Sequence, residues 1–315
     1  MSRWSFDLTE APPPDAAVEV ASRHVSAATI GRRGGRPVVS AYAVEPLPEG
    51  AVVPSLTAQN IRDRALVEAA VASALDSVGR PRRVGLIVPD AVAKVSLVRF
   101  EQVPARAQDL AQLIRWQVRK AAPFPIEEAQ VSFSEAGTVP GGREFLVAVA
   151  RRVIVEEYEG LLAAGGAHAG IVDLSTFNVV NAVLVSSGAP ATEDWLLVNV
   201  GGPDLASIAI LRGPQIIFFR TRGADADGTL ADLVHQTAMY YEDRLQGGGF
   251  RRAVICGDSS DDVRRSLEQR LGLDVEALDV RTAAALTDRI SAAPALLDAL
   301  APLAGLLLRG GEKAA

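Results

Sequence analysis

The 315-residue sequence predicts an α/β fold of two similar lobes, with a small α+β subdomain inserted into the first. Three observations carry this. The order hairpin, strand, helix, strand occurs once in each half, without evident identity between the halves. A second string of strand, helix, strand, strand, helix lies between the two copies and is enough for a separate small unit. The composition is globular, 49% hydrophobic and 22% charged, and the length suffices for two compact domains.

The elements follow in order. Residues 16–31, AAVEVASRHVSAATIG, and 36–46, RPVVSAYAVEP, alternate β-branched and small residues between turn formers and predict three short strands. A long helix is expected over 57–79, with Thr57 or Asn60 as its N-cap, Ile61, Leu66, Ala69, Ala70 and Leu75 at near-helical spacing, and Gly79 as its stop before Pro81. RRVGLIVPD at 82–90 is a nearly continuous apolar run, as in a strand buried on both faces. The insert reads as a strand at 95–104, a helix over 106–128 broken at Pro123, strands at 129–137 and 143–150, and a helix at 152–166. The chain returns through a strand running into a helix at 169–188. The second copy has strands at 195–202, 205–213 and 214–223, a helix at 227–246 stopped by the GGG before Phe250, a strand at 250–258 and a helix at 261–272. ALLDALAPLAGLLL at 295–308 is interrupted by Asp298 and Pro302 and falls short of the ~20 residues that span a bilayer, so a buried helix is expected. The resulting division is a flexible arm at 1–15, a first lobe at 16–92 and 167–190, the insert at 93–166, a second lobe at 191–309 and a tail at 310–315.

Several function classes are excluded. The net charge is −6 and the basic residues are not interleaved with aromatics, which argues against a nucleic-acid partner. Arg32, Arg33 and Arg36 in GRRGGRP sit where a hairpin turn is expected and read as a solvated loop. The single cysteine, Cys256, rules out an internal disulfide and reads as a buried small hydrophobe. The start of the chain has no apolar run of a secretory signal, which fits the cytoplasm. His24, His168 and His235 have no metal-ligand spacing, and neither a Walker loop nor a GxSxG elbow is present.

Two lobes with one hairpin each leave a cleft onto which both hairpin turns face, at VEVASRHVSA, at VNVGGPDLA and at CGDSS. With AAPFPIEEAQVSF, IVDLSTFNVVNAV, VNVGG, RLGLDVEALD and LAPLAGLLLRG in their order, the sequence resembles the type IV pilus assembly protein PilM family, relatives of FtsA and actin. The resemblance spans about Ala16 to Arg309 and implies an actin-like, ribonuclease H-like duplicated fold. It also implies a site for ATP with Mg²⁺ formed by Glu19, Ala21, Ser22, Asn199, Gly201, Gly202 and Gly257.

The departures from the family pattern lie in that site. Glu19 stands for an Asp, Ala21 for a Gly and Ser26 for a Lys, while Asn199 replaces a carboxylate that would help to order magnesium. Asp258 adds a carboxylate beside the adenosine turn. Glu19 and Asp173 are the candidate catalytic acids, although Asp173 reads first as a helix N-terminal acid. These departures count against hydrolysis. The expected role is a cytoplasmic scaffold, peripheral to the inner membrane, whose insert, turning at Phe124 between two prolines, walls a groove for the N-terminal peptide of a PilN-like membrane protein. A pilus motor ATPase is a further expected partner. The competing readings are an active ATPase or sugar kinase, and a soluble counterpart of the type II secretion protein GspL.

Overall fold

The computed structural model describes residues 14–34, 36–187, 192–202, 204–223, 228–257, 261–286 and 294–309. Most of the expected arm, the expected tail, and Asp258 with the two serines after it lie outside the described residues.

The first sheet contains β1 (Ala16–Val20), β2 (His24–Arg33), β3 (Arg36–Pro46), β4 (Arg83–Val88), β8 (His168–Leu174) and β14 (Ala285–Leu286), in the order β14-β3-β2-β1-β4-β8. The second contains β9 (Asp194–Gly202), β10 (Leu205–Arg212), β11 (Gln215–Arg222), β12 (Arg252–Gly257) and β13 (Val275–Ala277), in the order β11-β10-β9-β12-β13. Set beside β3-β2-β1-β4-β8, this is the same arrangement twice, an antiparallel hairpin pair followed by parallel strands. The duplication expected from element order is present in space.

Helices fill three layers around these sheets. α1 (Arg64–Ser77) and α3 (Arg152–Leu162) share one core with the outer face of the first sheet, through Val67, Val71, Leu75, Ile154, Tyr158 and Leu161. α3, grouped with the insert by sequence, thus buries its apolar face beside α1. α5 (Leu230–Leu245) and α6 (Asp261–Leu271) cover the outer face of the second sheet. Between the sheets run α4 (Ser175–Ser187) and α7 (Pro294–Leu307), packed on each other and on both inner faces. Their contact is close enough that a Cβ at Gly305 would lie 1.7 Å from the Asn178 carbonyl oxygen. The apolar run near the chain end is this buried helix, and no helix among the described residues is long and apolar enough to cross a membrane.

The insert has its own sheet, β5 (Ala93–Phe100), β7 (Gly142–Arg151) and β6 (Ala129–Val139), with α2 (Ala107–Val118) on one face. Its other face meets the second lobe, where Ile216 and Phe219 of β11 pack beside Val95, Leu97 and Leu146.

Three local expectations change. α1 starts later than its periodicity suggests, with Asp63 accepting from the Leu66 amide at 3.1 Å. Asn60 is instead buried in the preceding loop, where its amide group bonds to Ser55, Ala58 and the Tyr158 hydroxyl. α2 stops at Val118, well before Pro123. α5 is ended by Gln246 in the left-handed region (φ 52°) rather than by a glycine. Gly247 is needed for another reason, because a Cβ there would enter the Tyr241 ring.

Candidate functional site

The β1–β2 and β9–β10 turns meet over the cleft. Ser22 Oγ, at the first turn, donates to the Gly201 carbonyl at 2.9 Å, joining the two lobes directly. The Ala21 amide, which a phosphate loop would keep free for its ligand, donates to the His24 carbonyl at 2.9 Å and closes its own turn.

Beneath the turns lies a polar network that crosses the cleft. Asp90 sits in the 3₁₀ turn Asp90–Val92 that follows β4, and it is buried. Its carboxylate accepts from the Thr176 amide at 3.0 Å, from the Thr176 hydroxyl, and from Ser207 Oγ of the second lobe at 2.8 Å. Ser207 in turn shares a bond of 3.2 Å with Thr221. Asn199 Nδ2 donates to Thr176 Oγ1 at 2.9 Å and lies 3.4 Å from Ser175 Oγ. Ser175 Oγ donates to Glu19 at 2.8 Å, and His24 Nε2 stands 3.7 Å from the other Glu19 oxygen. Burial pushes the Asp90 carboxyl up, opposed by the hydroxyl bonds from Thr176 and Ser207. Asn199 places a donor beside two hydroxyls whose own protons already go to Asp90 and Glu19. An aspartate there would be a third carboxylate beside Glu19 and Asp90.

The space these residues enclose is about 40 Å³. That admits a few waters, whereas nucleotide-sized ligands occupy pockets of roughly 300–1,000 Å³. This space is smaller than a nucleotide, and Asn199 offers a neutral amide where magnesium would favour a carboxylate.

Of the residues expected at the site, Glu19, Ala21, Ser22, Asn199 and Gly201 line the space. Gly202 touches Ser22, a Cβ there falling 3.2 Å from Ser22 Oγ. Gly257 is set aside from the lining, and its glycine answers to packing, since a Cβ would meet the Val200 carbonyl at 2.1 Å. Ser26 is buried beneath α7, bonding the Ala299 carbonyl at 3.4 Å. Asp173 ends β8 instead of opening α4, and it pairs with the buried Arg309 after α7. Burial pushes the Asp173 carboxyl up, against the opposing Arg309 guanidinium. It faces the helix seam and not the cleft. Cys256 is buried, and burial pushes its thiol well up, so it stays a protonated small apolar group.

Sequence reasoning missed Asp90, Ser175, Thr176, Ser207 and Thr221. The only signal was Pro-Asp closing a buried strand in IVPD, which was read as strand.

A second space opens beside the first. A groove of about 350 Å³ is lined by Leu56 of the first lobe, Ala93, Lys94 and Val95 of the insert, and Phe219, Arg220 and Gly223 of the second lobe. Ala91 and Thr221 line both spaces. Lys94 Nζ is held by the Ala121 carbonyl at 2.8 Å. Phe124 lies in the insert core beside α2, away from this lining.

Two sheets of one topology, hairpin turns meeting over a cleft, and a pair of helices between the sheets define an actin-like two-lobed protein. The chain belongs to the type IV pilus assembly protein PilM family, whose model matches residues 17–243. It is similar to the solved PilM-PilN type IV pilus biogenesis complex, with a TM-score of 0.77 and 16% identity over 96% of this chain and 99% of that one. Weaker likenesses are to a Bacteroides thetaiotaomicron protein of actin-like ATPase fold, with a TM-score of 0.48 and 10% identity over 83% of this chain and 89% of that one. The cytoplasmic domain of EpsL, from the Vibrio cholerae type II secretion system, has a TM-score of 0.47 and 10% identity over 81% and 93%.

Proposed function

We propose that this chain is a scaffold of the type IV pilus assembly machinery that grips the N-terminal peptide of a PilN-like membrane protein and is held at the inner membrane by it. The supporting observation is the likeness, along nearly the whole chain, to a PilM-PilN complex. The groove walled by the insert supplies a place for the peptide, with apolar Leu56, Val95 and Phe219 beside the cationic Lys94 and Arg220. The site for ATP is degenerate in this reading. The lobes are held by their own hydrogen bonds at Ser22, Asp90 and Asn199, where a nucleotide-dependent relative would be held by its ligand.

A fluorescent peptide from the N-terminus of the cognate PilN-like protein, titrated with the purified chain, tests this. The native chain binds it, and Leu56→Glu weakens binding about tenfold, the scale of a pocket anchor lost. Absence of binding, or indifference to Leu56→Glu, overturns the groove. Tight magnesium-dependent ATP binding with turnover would favour the enzyme reading.

A further inference from the structure

The arginines of the first lobe are gathered at one end of its sheet. Register places them: Ala17 pairs with both Ala28 and Gly85, and Arg83 pairs with His168, so the starts of β1, β4 and β8 lie at one end with the distal part of β2. Arg33 and Arg36 close the β2–β3 hairpin, a few residues beyond Ile30, so the tip projects roughly 10 Å past the sheet. Arg80 and Arg82 immediately precede β4. Arg32, Arg33, Arg36, Arg80, Arg82 and Arg83 are all exposed, on a front roughly 20 Å across at normal strand spacing. Among the described residues, acids near these positions include Asp15, before β1, and Asp76, which is engaged by Arg80 at 2.7 Å. Arg33, Arg36, Arg82 and Arg83 have no acidic partner among the described residues. This concentration stands out in a chain whose net charge is −6.

The chemistry of the surroundings selects the partner. A protein interface of any strength centres on buried aromatic or aliphatic anchors. Among the described residues the exposed large apolar side chains, Val53, Trp116, Val153, Val185, Met239 and Tyr240, all lie off β2, β3 and β4. Both cavities are at the opposite end of the sheet, where β1 and β4 finish. What remains among the described residues is a cationic front set apart from both cavities and from the exposed apolar side chains, suited to a broad anionic surface. We propose that this end of the first lobe adsorbs electrostatically to anionic lipid headgroups, orienting the protein on a bilayer. Each arginine near such a surface contributes about fivefold in partition, so four unpaired ones give weak, salt-sensitive adsorption. The role is to orient a molecule held by something else. The inference is independent of the groove, which lies at the other end of β4.

The test is cosedimentation of the full chain with phosphatidylcholine vesicles and with vesicles that also contain phosphatidylglycerol, at low and high salt. The variants are Arg33→Glu/Arg36→Glu and Arg82→Glu/Arg83→Glu, exposed positions whose folding is checked by thermal melting. Retention is expected on the anionic vesicles at low salt alone, falling about tenfold or more in each variant, with the peptide titration unchanged. Equal retention on neutral vesicles, or retention that survives both variants, overturns the proposal. So does a DNA duplex that binds more tightly at the same salt and displaces the vesicles.

Discussion

The cleft and the groove share Ala91 and Thr221 as walls but are built from different chemistry. The cleft is small, and its lobes reach one another through the polar side chains Ser22, Asn199 and Ser207. The groove is nearly nine times larger by the same measure, about 350 against 40 Å³, and mixes apolar with cationic side chains. Of the two, the space between the hairpin turns is the narrow one and the space beside the insert is the wide one. A cleft can act as a joint between lobes where its buried polar side chains bond to each other.

The contrast is broken most severely from behind the cleft, at the seam of α4 and α7. Asp173→Ala leaves Arg309 buried without its carboxylate and is expected to cost about 3–5 kcal/mol in urea unfolding. Pairing it with Arg309→Met should restore most of that loss, and no restoration would mean that the ion pair is not the cause. Asn199→Leu acts inside the cleft alone. It removes a donor to Thr176 and is expected to cost about 1–3 kcal/mol, with faster amide exchange at the β9–β10 turn and an unchanged peptide affinity. A loss of peptide binding would show that the two spaces are not separate.

The smallest expected effect is on pH. The Asp90 carboxyl is raised by burial in the fold, so it keeps its proton over a range where the unfolded chain has lost it. Its contribution therefore favours the fold in acid and falls away as pH rises from the ordinary carboxylate range through the raised value. Asp90→Asn should flatten that part of the stability profile, as read from melting temperature against pH. An unchanged slope would assign it to other carboxylates.

How much of this was legible depends on how local the cause is. The strands of both lobes show in sequence because apolar alternation and turn residues are local, and the duplication follows from their order. Asp90 escaped because a three-residue turn has no periodicity and its partners, Thr176 and Ser207, are 86 and 117 positions away. Asp173 was misplaced for the same reason, its partner Arg309 being 136 positions distant. The start of α1 slipped because Asn60 looks like a cap until the Tyr158 hydroxyl occupies its carbonyl oxygen. Glu19, Ser22 and Asn199 were found through resemblance to a phosphate-loop pattern. What Ser22 and Asn199 do in the fold, bonding across the cleft, and what Glu19 does, accepting from Ser175, are properties of distant segments and are written in none of them.

The place of α7 bears on how the chain is made. The inner face of the first sheet, at Ala17, Ala28 and Ile87, is covered by the same core that contains Leu303 and Leu306. A ribosome that has finished β4 must add roughly 220 more residues before that cover exists, about 10–45 s at ordinary elongation rates. For that interval the first sheet is a surface awaiting its last helix. The lobes are thus expected to complete folding together, with N-terminal fragments that end before α7 turning to chaperones or aggregating.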